Sequence, residues 1–402
     1  MVIDIETIQR ALREDENQLD GWLLYDFHGS NPISRSIAKV DTNRKLTTRR
    51  WFYLIPTDGV PCALVHQIEP DSLSHLPGNR QLYSGRKQFE NSLARLIRGH
   101  SRLAMEYSQD CNIPYISKVD AGTVETLRSH GISILSSGNL VQRFESTWDD
   151  HALETHQNAA GHLEDIKNRA FKLIADRLST KSPVNEYEVQ QIMVDWFKEA
   201  DLVSDSAPVV AAQENSGNPH YLPTSSSFRP INPNELVLID LWGKQNVPNA
   251  VYADITWVGF TGANIPNQYS KCFNVAARAR DTAVLLVKDA FAEGKSLEGW
   301  EVDRKTRTVI EKAGFGENFV HRTGHSLGKE VHGNGVHLDD FETHDDRRLI
   351  EGSGFTIEPG IYFEEFGVRT EINMYIGKYE STVTSSIQES ILSLSSMGCT
   401  ID

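Results

Sequence analysis

Two aspartates interrupt apolar, strand-like segments in the second half of the sequence. Asp240 lies in ELVLIDLW (235–242) and Asp254 lies in VYADITWV (251–258). Burying a lone carboxylate in such a segment is costly. Their separation (254 − 240 = 14 residues) allows two antiparallel strands with the carboxylates facing one another. Facing carboxylates repel unless a proton or a cation lies between them. The alternative is that both aspartates lie at the solvent edge of their strands.

Three histidines fall within the segment HRTGHSLGKEVHG, at His321, His325 and His332. The first two have the spacing of a helical zinc site, yet Gly324 and Gly328 disfavour a helix. The glutamate that the helical zinc-protease motif needs after its first histidine is also absent. We therefore predict a glycine-rich, non-helical loop that presents imidazoles.

Two glutamates also interrupt apolar runs, Glu358 in TIEPGIY and Glu371 in GVRTEINMYI. An ion pair with Arg369 could account for one of them. A metal centre accounts better for the whole set of polar residues in apolar settings. Four carboxylates and one imidazole form a hard, anionic ligand set that suits two divalent ions sharing bridging carboxylates. The set comprises Asp240, Asp254, His325, Glu358 and Glu371.

This set resembles the metal-binding pattern of the pita-bread-fold metallopeptidases, the superfamily of methionine aminopeptidase, Xaa-Pro aminopeptidase, prolidase and creatinase. The resemblance implies that Asp240 chelates one metal and that His325 and Glu358 hold the other. It implies that Asp254 and Glu371 bridge both. Two divalent ions per chain are expected, with manganese favoured and zinc or cobalt also compatible with the ligand set.

Further matches indicate the proline-specific branch of that superfamily. His220, in NSGNPHYLP, matches a substrate-contacting histidine, and His332 matches one that stabilises the tetrahedral intermediate. His321, Tyr362 and Arg369 resemble the substrate-binding residues of the Xaa-Pro enzymes.

Three departures from the family pattern lie close to this site. The aspartates are more widely spaced than usual, Gly333 replaces an acidic residue after His332, and Ile372-Asn373 replaces a common aspartate after Glu371.

The resemblance implies a dinuclear-metal hydrolase that cleaves the N-terminal amide bond of a small peptide, before proline, as an Xaa-Pro dipeptidase or aminopeptidase. Glu358 would be the proton-transferring group, and His220 and His332 would donate hydrogen bonds to the carbonyl oxygen. Two alternatives remain open. One is a non-peptidase C–N hydrolase of the same fold that acts on a small cyclic or amidino metabolite, and the other is a metal-free binding protein.

The elements around these residues predict an α+β fold with two domains. The second half reads as helix, helix, strands and then the same order again, as in an internally duplicated domain. The predicted helices are 151–179, 186–199, 270–293 and 300–313, and the later strands are 318–322, 354–358, 360–364 and 367–376.

The first half of the chain predicts an α/β domain, which resembles the creatinase-type N-terminal domain. Strands are expected at 21–26, 51–56, 61–66 and 102–107, the second and third forming a hairpin, with helices near 87–98 and 119–130. A polar stretch at 145–152 marks the boundary, so we predict domains at 1–150 and 151–402.

Composition limits the partners and the compartment of the 402-residue chain. The charge balance (40 basic against 55 acidic residues, net −15) disfavours nucleic acid and anionic membrane surfaces. The cysteines lie far apart in sequence, which is typical of a reducing compartment. They are Cys62, Cys111, Cys272 and Cys399. With neither a signal-peptide pattern nor a long apolar run, we expect a cytoplasmic protein. The resemblance implies a homodimer.

Overall fold

The computed structural model describes residues 3–40 and 47–397, and the chain divides into two compact units, Met1–Glu145 and Ser146–Asp402. The division lies at the start of the polar stretch 145–152, in which the sequence places the domain boundary. In the described ranges, none of the helices is both long and apolar enough to span a bilayer.

The first unit is built on a sheet with the strand order β4-β3-β2-β1-β5-β6. Strand β2 runs antiparallel to both of its neighbours, whereas the other pairs are parallel. The predicted hairpin is therefore confirmed. The strands are β1 Gly21–Asp26, β2 Trp51–Pro56, β3 Cys62–His66, β4 Asn79–Tyr83, β5 Arg102–Met105 and β6 Ser133–Ser136. The helices are α1 Ile5–Glu14, α2 Pro32–Ile37, α3 Arg86–Leu96, α4 Ala121–Ser129 and α5 Gly138–Val141.

The second unit repeats the order of two helices followed by strands. The helices are α6 Asp150–Ser179, α7 Glu186–Glu199, α8 Asn267–Ala292 and α9 Gly299–Lys312. The first set of strands is β7 Leu202–Val203, β8 Val209–Ala212, β9 Leu236–Gln245 and β10 Ala253–Phe260. The second set is β11 Ser326–Leu327, β12 Gly354–Ile357, β13 Gly360–Tyr362, β14 Gly367–Arg369, β15 Ile372–Ile376, β16 Ser381–Val383 and β17 Leu392–Ser393.

Side-chain caps fix where the helices of this unit begin. Asn185 precedes α7, and its side chain accepts a hydrogen bond from the backbone N–H of Glu188. Helix α9 begins with a capping box between Glu298 and Glu301. Such caps satisfy the N–H groups that the first turn of a helix leaves unpaired.

The alternation of side chains along β9 and β10 separates the core from the site. Ile239, Leu241 and Ile255 point to one face and pack with α6 residues such as Leu163 and Phe171. Because successive residues of a strand face opposite ways, Asp240 and Asp254 must lie on the other face. The apolar packing of one face therefore aims both carboxylates at the same side of the sheet.

Two predicted strands differ from the structure. Residues 318–322 form no strand, because the carbonyl groups of Phe319 and His321 accept hydrogen bonds from the Arg307 guanidinium on α9. The predicted strand 367–376 is split into β14 and β15. At the break, the N–H of Glu371 donates to the carbonyl of Thr256 on β10, at 3.2 Å.

Candidate metal centre

Strands β9 and β10 place the two aspartates diagonally across the sheet. Asp240 pairs in register with Thr256, and Asp254 pairs with Trp242, so the carboxylates share a face but are offset by two residues. The predicted antiparallel pairing, which brings both carboxylates to one side, is confirmed, with this offset between them. Both aspartates are buried, which rules out the solvent-edge alternative.

The remaining predicted ligands approach this face from loops next to short strands. His325 immediately precedes β11, Glu358 follows β12, and Glu371 lies between β14 and β15. The Nε2 atom of His325 lies 3.6 Å from Asp254 Oδ2 and 3.4 Å from Glu358 Oε1. Ligand atoms of Asp254, His325 and Glu371 lie within 4.8 Å of one another. As predicted, the segment 321–332 contains no helix.

Asp240 reaches this cluster through Thr256 and Arg369. The Thr256 hydroxyl lies 3.0 Å from Asp240 Oδ1 and 2.6 Å from Glu371 Oε2, and it accepts from Arg369 Nε at 2.9 Å. The Arg369 guanidinium also forms an ion pair with Asp240 Oδ2. The arginine thus pairs with Asp240, and its Nε also lies 4.0 Å from Oε2 of Glu358, one of the two glutamates for which the sequence suggested this ion pair.

The electrostatics of the cluster favour a cation. Burial first, and then the neighbouring carboxylates, raise the pKa values of Asp254 and Glu371 well above their ordinary range. Burial also raises the pKa of Glu358 to about 7. Within the described residues, Asp254 Oδ1 is buried without a hydrogen-bond partner. Burial, together with the charges of His332 and Arg322, lowers the pKa of His325 and keeps its imidazole neutral.

These observations fit the divalent ions that the sequence implies. A buried carboxylate oxygen without a donor lies beside further carboxylates and a neutral imidazole. Hard oxygen donors with one nitrogen donor are a suitable set for manganese, zinc or cobalt.

A hydrogen-bonded chain joins the three residues predicted to bind substrate. The pKa of His321 is lowered to about 3, by burial and by Arg369, so this imidazole is neutral. Its Nδ1 lies 2.7 Å from the Arg322 carbonyl, which can only accept, so Nδ1 carries the proton. Its Nε2 then accepts from the Tyr362 hydroxyl at 2.8 Å. The same hydroxyl oxygen accepts from Arg369 Nη1 at 3.4 Å.

The two predicted donor histidines are both exposed, and they interact electrostatically with one another. The ring of His332 packs edge-on against His325, with centroids 4.4 Å apart. His220 lies in a turn that follows a 3₁₀ helix, Gln213–Gly217. Desolvation by the surrounding protein lowers the pKa of His332 to about 4, Arg322 and His220 act in the same direction, and Asp205 opposes them.

Several residues of the centre were missed from the sequence. The hydroxyl of Thr356 accepts from the His325 N–H at 2.9 Å and lies 3.1 Å from Glu358 Oε1. Asn373 accepts from the N–H of Asp254 at 3.0 Å and donates to its carbonyl, so this departure from the family pattern fixes the backbone of a predicted ligand. Thr256 could have been found, because it lies two residues after Asp254 and therefore on the same strand face.

Comparison with known proteins supports a common ancestry for the second unit. Residues 157–378 match the model of a family described as metallopeptidase family M24. A Xaa-Pro dipeptidase of Lactobacillus helveticus is 35% identical over 164 residues, which are 40% of each chain. A Xaa-Pro dipeptidase of Lactobacillus delbrueckii subsp. lactis is 35% identical over 202 residues, 50% of this chain and 49% of that protein. The matched regions thus span about half or less of these relatives.

The similarity in fold to a solved structure extends over almost the whole chain. The crystal structure of dipeptidase PepE from Mycobacterium ulcerans superposes with a TM-score of 0.69, covering 98% of this chain and all of that one, at 18% identity. This likeness shows the two-domain pita-bread architecture.

Proposed function

We propose that this chain, which belongs to metallopeptidase family M24, is a metal-dependent peptidase. It hydrolyses the bond before proline at the N-terminal end of small peptides. The observation that carries the proposal is the buried cluster of Asp254, His325 and Glu371, with Asp254 Oδ1 left without a donor. The relatives named Xaa-Pro dipeptidase favour this substrate over the cyclic or amidino metabolites of the alternative hydrolase.

We expect two divalent ions, with manganese favoured, to be held by the five predicted ligands. Asp254 and Glu371 would bridge, Asp240 would serve one ion, and His325 and Glu358 the other. When bound, such ions lower the pKa of a water molecule and polarise the scissile carbonyl.

The chain's own residues then supply proton transfer and hydrogen bonds. Glu358 lies 3.4 Å from His325 within the cluster, where its carboxylate would accept a proton and return it to the leaving nitrogen. His332, which packs against His325, and His220 would donate hydrogen bonds to the carbonyl oxygen as its charge develops. One well-placed donor of this kind contributes about 2.7–4 kcal/mol.

The chain of His321, Tyr362 and Arg369 supports a preference for proline. His321 is neutral and its Nε2 is held by the Tyr362 hydroxyl, so it presents an uncharged ring, and Tyr362 in turn interacts with Glu358 and Asp240. A proline ring, which has no N–H to donate, suits such a surface better than a secondary amide does.

A peptide panel at equal metal loading tests the proposal. Ala-Pro, Ala-Ala, a longer Ala-Pro peptide and a Met-initiated peptide are assayed with manganese, zinc and cobalt, and the bound metal is measured. We expect kcat/KM to be highest on the proline peptides with about two metals bound per chain. Equal or faster hydrolysis of the non-proline peptides would refute the proline assignment, and no metal uptake would refute the peptidase.

We also expect a cytoplasmic homodimer, which sedimentation and cell fractionation can test. Cys62, Cys111 and Cys272 are free thiols, as in a reducing compartment. Cys399 lies outside the described residues.

A further inference from the structure

We propose that Glu186, which lies outside the metal centre, is a positioning residue that fixes the backbone segment carrying His220. The inference rests on the function proposed above, because His220 acts there on the substrate carbonyl. Glu186 is the first residue of α7 and is fully buried.

The Glu186 carboxylate accepts hydrogen bonds from both ends and from the middle of one segment, residues 212–229. Its Oε1 accepts from the N–H of Ala212 at 2.7 Å, and its Oε2 accepts from the N–H of Arg229 at 2.8 Å. The side-chain amide of Asn215 donates to both oxygens at 3.0 Å, and the Tyr221 hydroxyl donates to Oε2 at 2.6 Å. One carboxylate thus holds both ends and the middle of the segment together.

His220 is joined to this carboxylate through its neighbour in sequence. Tyr221, the next residue, makes the shortest of the Glu186 hydrogen bonds. The turn that contains His220 and Tyr221 is held by Asn218. The Asn218 side chain accepts a hydrogen bond from the His220 N–H at 3.0 Å, and the Asn218 carbonyl accepts one from the Tyr221 N–H at 3.0 Å. No hydrogen bond is recorded for the His220 side chain in the described ranges, so its direction depends on this backbone.

The same segment is fixed on its other side to the hairpin that carries Tyr362 and Arg369. Ser216 Oγ accepts from the N–H of Gly367 at 2.9 Å. A Cβ atom on Gly217 would lie 2.1 Å from the carbonyl oxygen of Phe363, so the backbones are in direct contact. The segment therefore lies between Glu186 and the hairpin of the site, and loosening one attachment should displace His220.

A carboxylate is a costly way to hold a segment if stability alone is needed. A buried charge requires several donors to offset its desolvation, and within the described residues Glu186 has no lysine or arginine side chain as an ion-pair partner. The directional hydrogen bonds instead specify one conformation of the segment. Glutamine would present an amide N–H₂ to N–H and O–H donors, and the arrangement would be lost.

Three variants test the proposal. Glu186→Gln removes the charge, Tyr221→Phe removes the shortest hydrogen bond while keeping the ring, and Glu188→Gln is a matched control two residues along α7. Glu188 pairs with Arg177 and makes no hydrogen bond to the segment. Thermal unfolding first confirms that each variant is folded.

Hydrogen exchange and the His220 imidazole signal provide the readouts that need no activity. In Glu186→Gln we expect exchange in 213–229 to rise about tenfold or more, with a smaller rise in Tyr221→Phe and none in the control. The imidazole resonance of His220 should shift and broaden in the same order. Unchanged exchange and an unchanged signal in Glu186→Gln would overturn the proposal.

A double-mutant cycle tests the link to catalysis. His220→Ala should lower kcat about 100-fold or more, as removal of one oxyanion donor does. Glu186→Gln should lower kcat about 10- to 100-fold with a smaller change in KM, and should add little in the His220→Ala background. An equal fold loss of kcat in both backgrounds would show that Glu186 acts independently of His220 and only supports the structure. If the wild-type chain cleaves no peptide, the proposed function fails, while exchange and the imidazole signal still decide the positioning.

Discussion

The carboxylates of the metal centre should destabilise the metal-free protein as the pH rises. Burial raises the pKa of Glu358 to about 7 from its ordinary value of 4.5, and the side chain is only 13% exposed. An acid whose pKa is higher in the folded chain favours unfolding once the unfolded form can ionise. The penalty is therefore absent below pH 4.5, grows between pH 4.5 and pH 7, and stays constant above.

The size of the effect follows from these two pKa values. By proton linkage, Glu358 costs the folded state about 1 kcal/mol at pH 5 and about 3 kcal/mol at pH 8. Glutamine has a similar shape and does not ionise. Glu358→Gln should therefore be more stabilising at pH 8 than at pH 5, by about 2 kcal/mol.

Denaturant unfolding of chelator-treated protein measures this difference. Wild type, Glu358→Gln and the exposed control Glu365→Gln are unfolded at both pH values, and the change in unfolding free energy is compared within each pH. Using differences between variants cancels the titrating groups that do not interact with Glu358. Asp254 and Glu371 do interact with it, and the loss of its charge lowers their pKa values, which adds to the stabilisation at pH 8. A Glu358→Gln effect that is the same at both pH values, or larger at pH 5, would refute the reasoning about burial.

Three further outcomes are expected. With metal bound, Glu358→Gln should lower kcat at least about 100-fold, and retention of most of the wild-type kcat would remove this residue from proton transfer. Thr256→Val should weaken metal binding about 10- to 100-fold, because it loses the hydroxyl that bonds to two predicted ligands. Chelator competition measures the affinity, with Thr256→Ser as the control. An unchanged affinity in the valine variant would contradict this role. His321→Ala should lower kcat/KM on Ala-Pro more than on Ala-Ala, and equal losses on both would contradict its part in proline recognition.

The local elements were well predicted because their signals lie within short stretches of chain. Strand β1, 21–26, was predicted residue for residue, and helix α7 begins and ends at the predicted residues, 186 and 199. The segment around His325 was predicted to be non-helical because glycines disfavour a helix irrespective of the fold. The family was also accessible, since its ligand residues stand out as polar interruptions of apolar runs.

Register and partner choice depended on the tertiary structure. The offset of Asp240 from Asp254 follows from the pairing of β9 with β10 through a long loop, whose path the sequence does not specify. The pairing of Arg369 with Asp240, across 129 residues, could not be read from an arginine two positions before a glutamate.

The sequence by itself thus determined which residues could form a metal centre, since charge in an apolar strand is a local anomaly. Only the tertiary structure decided how they are held. Thr256 links two predicted ligands to Arg369, Asn373 fixes the backbone of Asp254, and Glu186 closes the segment of His220. These are ordinary polar residues whose roles come from partners far along the chain. Hydrogen bonds of this kind form over about 3 Å in space and leave no spacing in sequence to detect.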